Sequence, residues 1–131
     1  MNGTETDAPR ILIVDDDETH LACARELLEA EGYNVDVHRT AFGATDRFIH
    51  YRPDLVLIDV NMPALSGEGL VGILRKRVHA AGVRLFLYSS NDADLLRKTA
   101  ARLQIDGYVC KGDPDELRRK VGRALGSPRE R

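Results

Sequence analysis

Four short apolar runs in this 131-residue chain each stop at residues that can do chemistry. Ile11 to Val14 stops at Asp15, Asp16 and Asp17, and Leu55 to Ile58 stops at Asp59. Val83 to Tyr88 stops at Ser89 and Ser90, and Tyr108 to Cys110 stops at Lys111. Alone, an Asp after an apolar run reads as a strand-ending turn residue, because Asp is common there. Together these groups make a more specific set: carboxylates, a hydroxyl and an ammonium. Two carboxylates about 4 Å apart repel by roughly 4 kcal/mol at an effective dielectric near 20, so a cluster of them wants a cation. Hard oxygen ligands select Mg2+, which is commonly held by one or two carboxylates plus phosphate oxygens. A Lys supplies a point charge for a phosphoryl oxygen, and a Ser hydroxyl can donate to another. A carboxylate beside the metal can act as a nucleophile and form an aspartyl phosphate.

These groups converge only if their strands lie parallel with their carboxyl ends on one edge. The pattern supports that. Leu55 to Ile58 is apolar without alternation, the mark of a strand buried on both faces of a parallel sheet. It should end at Asp59, because Pro63 cannot continue a strand ladder. Glu18 to Glu31 places Leu21, Ala24, Leu27 and Leu28 at helical spacing, with Gly32 as its C′ residue. Tyr33 to His38 alternates Val35 and Val37 with polar residues, as an edge strand does, and its end offers no obvious functional group. Further helices are predicted over Ala41 to Tyr51, over Ser66 to His79 with Leu70, Ile73, Leu74 and Val78 inward, and from Asn91 or Asp92 to about Leu103. The last should start at Asp113 and Pro114, as N-cap and N1, and bury Leu117, Val121, Ala124 and Leu125. Strand–helix alternation with short links means a parallel sheet with helices on both faces, which binds ligands at the carboxyl ends of its strands.

Composition narrows the classes. At 131 residues one domain is expected, with a loose tail over 1–9, a folded unit over 10–126 and a short polar tail over 127–131. The net charge of -2 and the absence of Trp argue against direct nucleic-acid binding. No apolar run approaches a membrane span and no signal core precedes the first strand, so a cytoplasmic protein is expected. Cys23 and Cys110 lack metal-ligand spacing and fall in apolar patterns, so both read as small buried hydrophobes. The four His residues share no spacing, and only His20 lies near the acid cluster. Asp17 reads as a helix N-cap. The runs Arg75–Arg77 and Arg118–Lys120 read as solvated helix faces.

The pieces ILIVDD at 11–16, DLVLIDVNMPALSG at 54–67, LFLYSS at 85–90 and GYVCK at 107–111 carry a resemblance spanning residues 10–125. In order and spacing they resemble a response-regulator receiver domain of two-component signalling, of the chemotaxis single-domain type. The resemblance implies a flavodoxin-like (βα)5 three-layer fold with strand order 2-1-3-4-5. It implies that Asp59 is the phosphoacceptor, taking its phosphoryl group from a sensor histidine kinase or a histidine phosphotransfer protein. Mg2+, for which Mn2+ can substitute, would be bound by Asp16 and Asp59 directly, by the backbone carbonyl of Asn61, and by Asp15 through water. Lys111 would bind the phosphoryl group. Ser89 would act with it and, paired with Tyr108, form the switch. Output would pass to a protein target through the face of the last two helices and the last strand.

On this reading the chain is a phosphorylation-switched binding module without an output domain, and not an enzyme. Two alternatives stay open: a Mg2+-dependent aspartyl-phosphate phosphatase, and a receiver-like scaffold indifferent to phosphorylation. The phosphatase pattern wants a second Asp two residues after the nucleophile, where this chain has Asn61. Ser90 stands where the family often has a small apolar residue. The family's usual Lys-Pro is Lys111-Gly112 here. A cis bond before a non-proline residue costs about 2.5–4 kcal/mol, so a trans bond is expected, with Gly112 at positive φ turning the chain. Gly112→Pro is expected to rigidify that loop.

Overall fold

The computed structural model describes residues 8–62 and 67–126. Strands and helices alternate through them: β1 (Arg10–Val14), α1 (Glu18–Ala30), β2 (Asn34–His38), α2 (Ala44–Tyr51), β3 (Leu55–Ile58), α3 (Gly67–Ala81), β4 (Arg84–Ser89), α4 (Ala93–Leu103), β5 (Gly107–Cys110) and α5 (Pro114–Leu125). The expected turn at Pro63, the helix start at Ser66, and the tails at 1–7 and 127–131 lie outside the described residues. Pro9, placed by its composition in the first tail, is buried, and its carbonyl accepts the Asn34 N–H.

All strand pairs are parallel, in the order β2-β1-β3-β4-β5. This is the flavodoxin-like (βα)5 arrangement. Alternate residues of each central strand serve opposite faces. Leu12, Val14, Val56, Ile58, Leu85 and Leu87 pack toward α2, α3 and α4. Ile11, Ile13, Leu55, Leu57 and Val109 pack toward α1 and α5. Both faces are covered, which is why these strands read as unbroken apolar runs. Each fully buried aliphatic side chain contributes roughly 1.5–3 kcal/mol, so the sheet is held from both sides.

The helices begin where capping chemistry allows. The Asp17 carboxylate accepts the Thr19 and His20 N–H groups and starts α1, as expected. Asp92 does the same for α4, and Asp113 with Pro114 for α5. α2 starts at Ala44 and not at Ala41, because Gly43 takes a φ of 78° that no α-helix can contain.

Three expectations about side chains need correction. Ile73 is 53% exposed, while Leu70, Val71, Leu74 and Val78 are buried. At about 100° per residue Leu70, Leu74, Val78 and Val71 share one arc of about 100°, and Ile73 falls about 60° outside it. Cys23 is free and exposed, lying off the Leu21–Ala24–Leu28 stripe, and Cys110 is free and half-buried. The basic runs are not wholly solvated. Arg75 donates to the Leu103 carbonyl and to the Gln104 side chain, and Lys120 donates to the Tyr108 carbonyl.

Candidate functional site

The sheet brings Asp15, Asp59, Ser89 and Lys111 to one edge by backbone hydrogen bonds that extend its ladders one residue further. The Asp15 N–H donates to the His38 carbonyl at 3.0 Å, and the Asp59 N–H donates to the Val14 carbonyl at 3.0 Å. The Lys111 N–H donates to the Ser89 carbonyl at 2.8 Å. The end of β2, which looked inert in sequence, thus contributes through its main chain.

Buried polarity concentrates here. Asp15, Asp59 and Ser89 are three of the four buried polar residues among those described. Lys111 joins the two acids. Its Nζ lies 2.7 Å from Asp15 Oδ2 and 3.2 Å from Asp59 Oδ2, and its side chain is only 5% exposed. The ammonium also sits 5.5 Å from the centre of the Tyr88 ring. Asp15 Oδ1 accepts the Asp17 N–H, and Asp59 Oδ1 accepts the Asn61 N–H. Asp16 is exposed, and its carboxylate has no hydrogen bond or ion pair among the described residues.

Asn61 does more than its backbone suggested. Its side-chain Nδ2 donates to Ser89 Oγ at 3.1 Å and to Asn91 Oδ1 at 3.0 Å. Ser89 Oγ also accepts the Asn91 N–H. The amide therefore ties the loop after β3 to the loop after β4. No sequence signal marked this bridge beyond each Asn standing two residues after a site residue.

Burial pushes the Asp15 carboxyl up to about 6, against the lowering influence of the Lys111 and Asp17 hydrogen bonds. Burial would lower Lys111, but its bonds and proximity to Asp15 and Asp59 outweigh it and hold the ammonium above its usual value. The pocket favours a cation at this position. His20 pairs its Nδ1 with the Asp17 carboxylate and holds it below the ordinary range.

A divalent cation fits the donor set. Asp15, Asp16 and Asp59 each offer an oxygen, all within 4.8 Å of one another. These hard ligands suit Mg2+. Asp15 has both oxygens engaged and Asp16 has neither, so Asp16 is the freer ligand.

Tyr108 is half-buried on β5, packed against the core cluster under α3 and α4. Among the described residues no hydrogen bond joins it to Ser89. The Lys111–Gly112 bond is trans, no cis peptide being found among the described residues, and Gly112 has a φ of 86°.

The family model of the response regulator receiver domain matches residues 11–122. This chain belongs to the response regulator receiver family. It is 29% identical over 108 residues to the polar-differentiation response regulator DivK of Brucella anthropi, covering 82% of this chain and 74% of that one. It is 30% identical over 104 residues to the chemotaxis protein CheY of Halobacterium salinarum, covering 79% and 85%. The response regulator TrrA of Thermotoga maritima, solved with Mg2+ and BeF, superposes with a TM-score of 0.78 at 30% identity, covering 89% of this chain and 99% of that one. A receiver signals through phosphorylation, so this one is a phosphoacceptor signalling protein and not a metabolic enzyme. Its acid cluster is of the kind found in Mg2+-binding receivers, and its partners as a class are histidine kinases or phosphotransfer proteins. No helix among the described residues is long and apolar enough to cross a membrane.

Proposed function

We propose that Asp59 is the phosphoacceptor of this receiver. The observation that carries the proposal is the Lys111 ammonium, which is in ion-pair contact with both Asp59 and Asp15, all three side chains being buried. A carboxylate oxygen of Asp59 bonds to phosphorus as the P–N bond of a donor phosphohistidine breaks, and the imidazole keeps the bond's electron pair. Lys111 neutralises the phosphoryl oxygens and stands in ion-pair contact with the attacking Asp59 carboxylate. The Asn61 N–H orients the Asp59 carboxylate. Ser89 Oγ, released from its bond with Asn61, donates to the new phosphoryl group.

Mg2+ would be held by Asp16, Asp59 and the Asn61 carbonyl, with Asp15 acting through water, and would neutralise carboxylate and phosphoryl charge there. The movement of Ser89 frees space toward which Tyr108 turns, a shift in populations and not an on/off change. The altered face of α4, β5 and α5 then binds a downstream protein. The donor is a cytoplasmic sensor histidine kinase or histidine phosphotransfer protein.

Incubation with a small acyl phosphate and Mg2+, followed by intact-mass measurement, tests this. Wild type should gain one hydroxylamine-sensitive phosphoryl group and Asp59→Asn none, with the fold retained. A variant that gains the group at the wild-type rate overturns the assignment. Ser89→Ala should still be phosphorylated, but with smaller NMR shifts around Tyr108. Equal shifts in the two proteins would sink the switch.

A further inference from the structure

β5 is a sheet edge, and an edge strand presents unpaired N–H and C=O groups outward. Here two of them are taken by side chains of α5. The Cys110 N–H donates to Glu116 Oε2 at 3.0 Å, and the Tyr108 carbonyl accepts from Lys120 Nζ at 2.8 Å. Glu116 and Lys120 stand one helical turn apart and pair with each other at 3.0 Å. Their side chains are 15% and 22% exposed, so this is not a loose surface pair. Burial would raise the Glu116 carboxyl, but the Cys110 N–H and Lys120 outweigh it and hold it low. The same ammonium stands 3.6 Å from the centre of the Tyr108 ring, well within cation–π range. A cavity of about 330 Å³, lined by Phe86, Gly107, Arg123 and Ala124 among others, opens beside this contact.

Both anchors of the ammonium are indifferent to the Tyr108 rotamer, one being a main-chain carbonyl and the other Glu116. In the proposed switch the ring is the party that moves. It meets a fixed cation where it now lies and forfeits that contact when it turns away. We propose that Lys120, pinned by Glu116 and the Tyr108 carbonyl, is a positioning residue that holds the Tyr108 ring at the β5 edge and sets the resting balance of the switch. This rests on the reading that Tyr108 moves with phosphorylation.

Lys120→Met keeps the aliphatic stem and removes the cation. It should raise the resting ratio of turned-in to edge-held ring about two- to fivefold, as one cation–π contact supports. NMR of ¹³C-labelled tyrosine in the unphosphorylated protein reads this as a Tyr108 signal moved part-way toward its phosphorylated position. Phosphorylation by the small acyl phosphate should quicken in step. Lys120→Arg keeps a cation over the ring and should restore the wild-type signal, which a merely structural role for the stem would not require. Glu116→Gln, which loosens one anchor, should fall between. A resting Tyr108 signal unchanged in Lys120→Met, in a protein whose Tyr108 still shifts on phosphorylation, overturns the latch and leaves the switch standing. A wild-type Tyr108 signal that does not move on phosphorylation overturns the switch and the latch with it.

Discussion

Asp15 is fully buried, and its carboxyl is pushed up to about 6 by that burial. An unfolded Asp titrates near ~3.9, so between those values the folded chain holds more protons than the unfolded one. The stability due to this group is complete below about pH 4 and is lost as pH rises through about 6. In metal-free protein, denaturant unfolding should therefore show a component on the order of 2 kcal/mol that falls between pH 4 and 7 and is missing in Asp15→Asn. Equal slopes in the two proteins would contradict the assignment. Lys111 is the complementary case. Lys111→Met leaves Asp15 and Asp59 buried without a counter-charge. At pH 7.5 this should cost about 3 kcal/mol in the metal-free protein, and less once Mg2+ is added. A cost that Mg2+ leaves unchanged would mean that the ammonium and the metal do not share these carboxylates.

The turn from β5 into α5 is decided by Gly112. Its φ of 86° lies in the left-handed region, and an added Cβ would meet nothing within 4 Å. The strain of a side chain here is therefore conformational and not steric contact. Gly112→Ala should cost about 1–2 kcal/mol in urea unfolding. Pro locks φ near about −65°, so Gly112→Pro cannot simply rigidify this loop as its family position suggests. It must rebuild the turn and should destabilise more than Ala does. A Pro variant as stable as wild type would show that the loop has a second, equally good path. Next to it, Asp113 caps α5 by accepting the Glu116 N–H, and Asp113→Ala should cost about 1 kcal/mol. That cap also sets the start of the helix carrying Glu116 and Lys120.

At the scale of the molecule, the sheet holds like charges together that would separate in the unfolded chain. Asp15, Asp16 and Asp59 approach within 4.8 Å only because β1 and β3 pair in register. A cation that binds this cluster binds the folded state alone. Mg2+ at a hundredfold excess over its dissociation constant should then stabilise the protein by about 2.7 kcal/mol, read as a rise in Tm. Asp16→Ala should remove most of that rise while leaving the metal-free Tm nearly unchanged, since Asp16 is exposed and its carboxylate has no hydrogen bond or ion pair among the described residues. Equal Mg2+-dependent shifts in the two proteins would exclude Asp16 as a ligand.

The strand ends, the helix caps at Asp17 and Asp113, and the convergence of Asp15, Asp59, Ser89 and Lys111 were legible in the sequence. They follow from local chemistry: unbroken apolar runs specify doubly buried strands, and parallel order then places every carboxyl end on one edge. The positive φ at Gly112 was legible for the same reason, since a trans bond there left the turn to a residue without Cβ. Other features were not written in any local pattern. Cys23 and Ile73 have apolar side chains, and only helix rotation against the sheet decided that both face solvent. Asn61 reaches Ser89 and Asn91 across 28 and 30 residues of chain, so its role as a bridge exists only after β3 and β4 pair. Lys120 sits in a basic run that reads as a solvated face. Tertiary packing of α5 against the β5 edge, which no spacing announces, is what puts its ammonium on the Tyr108 ring.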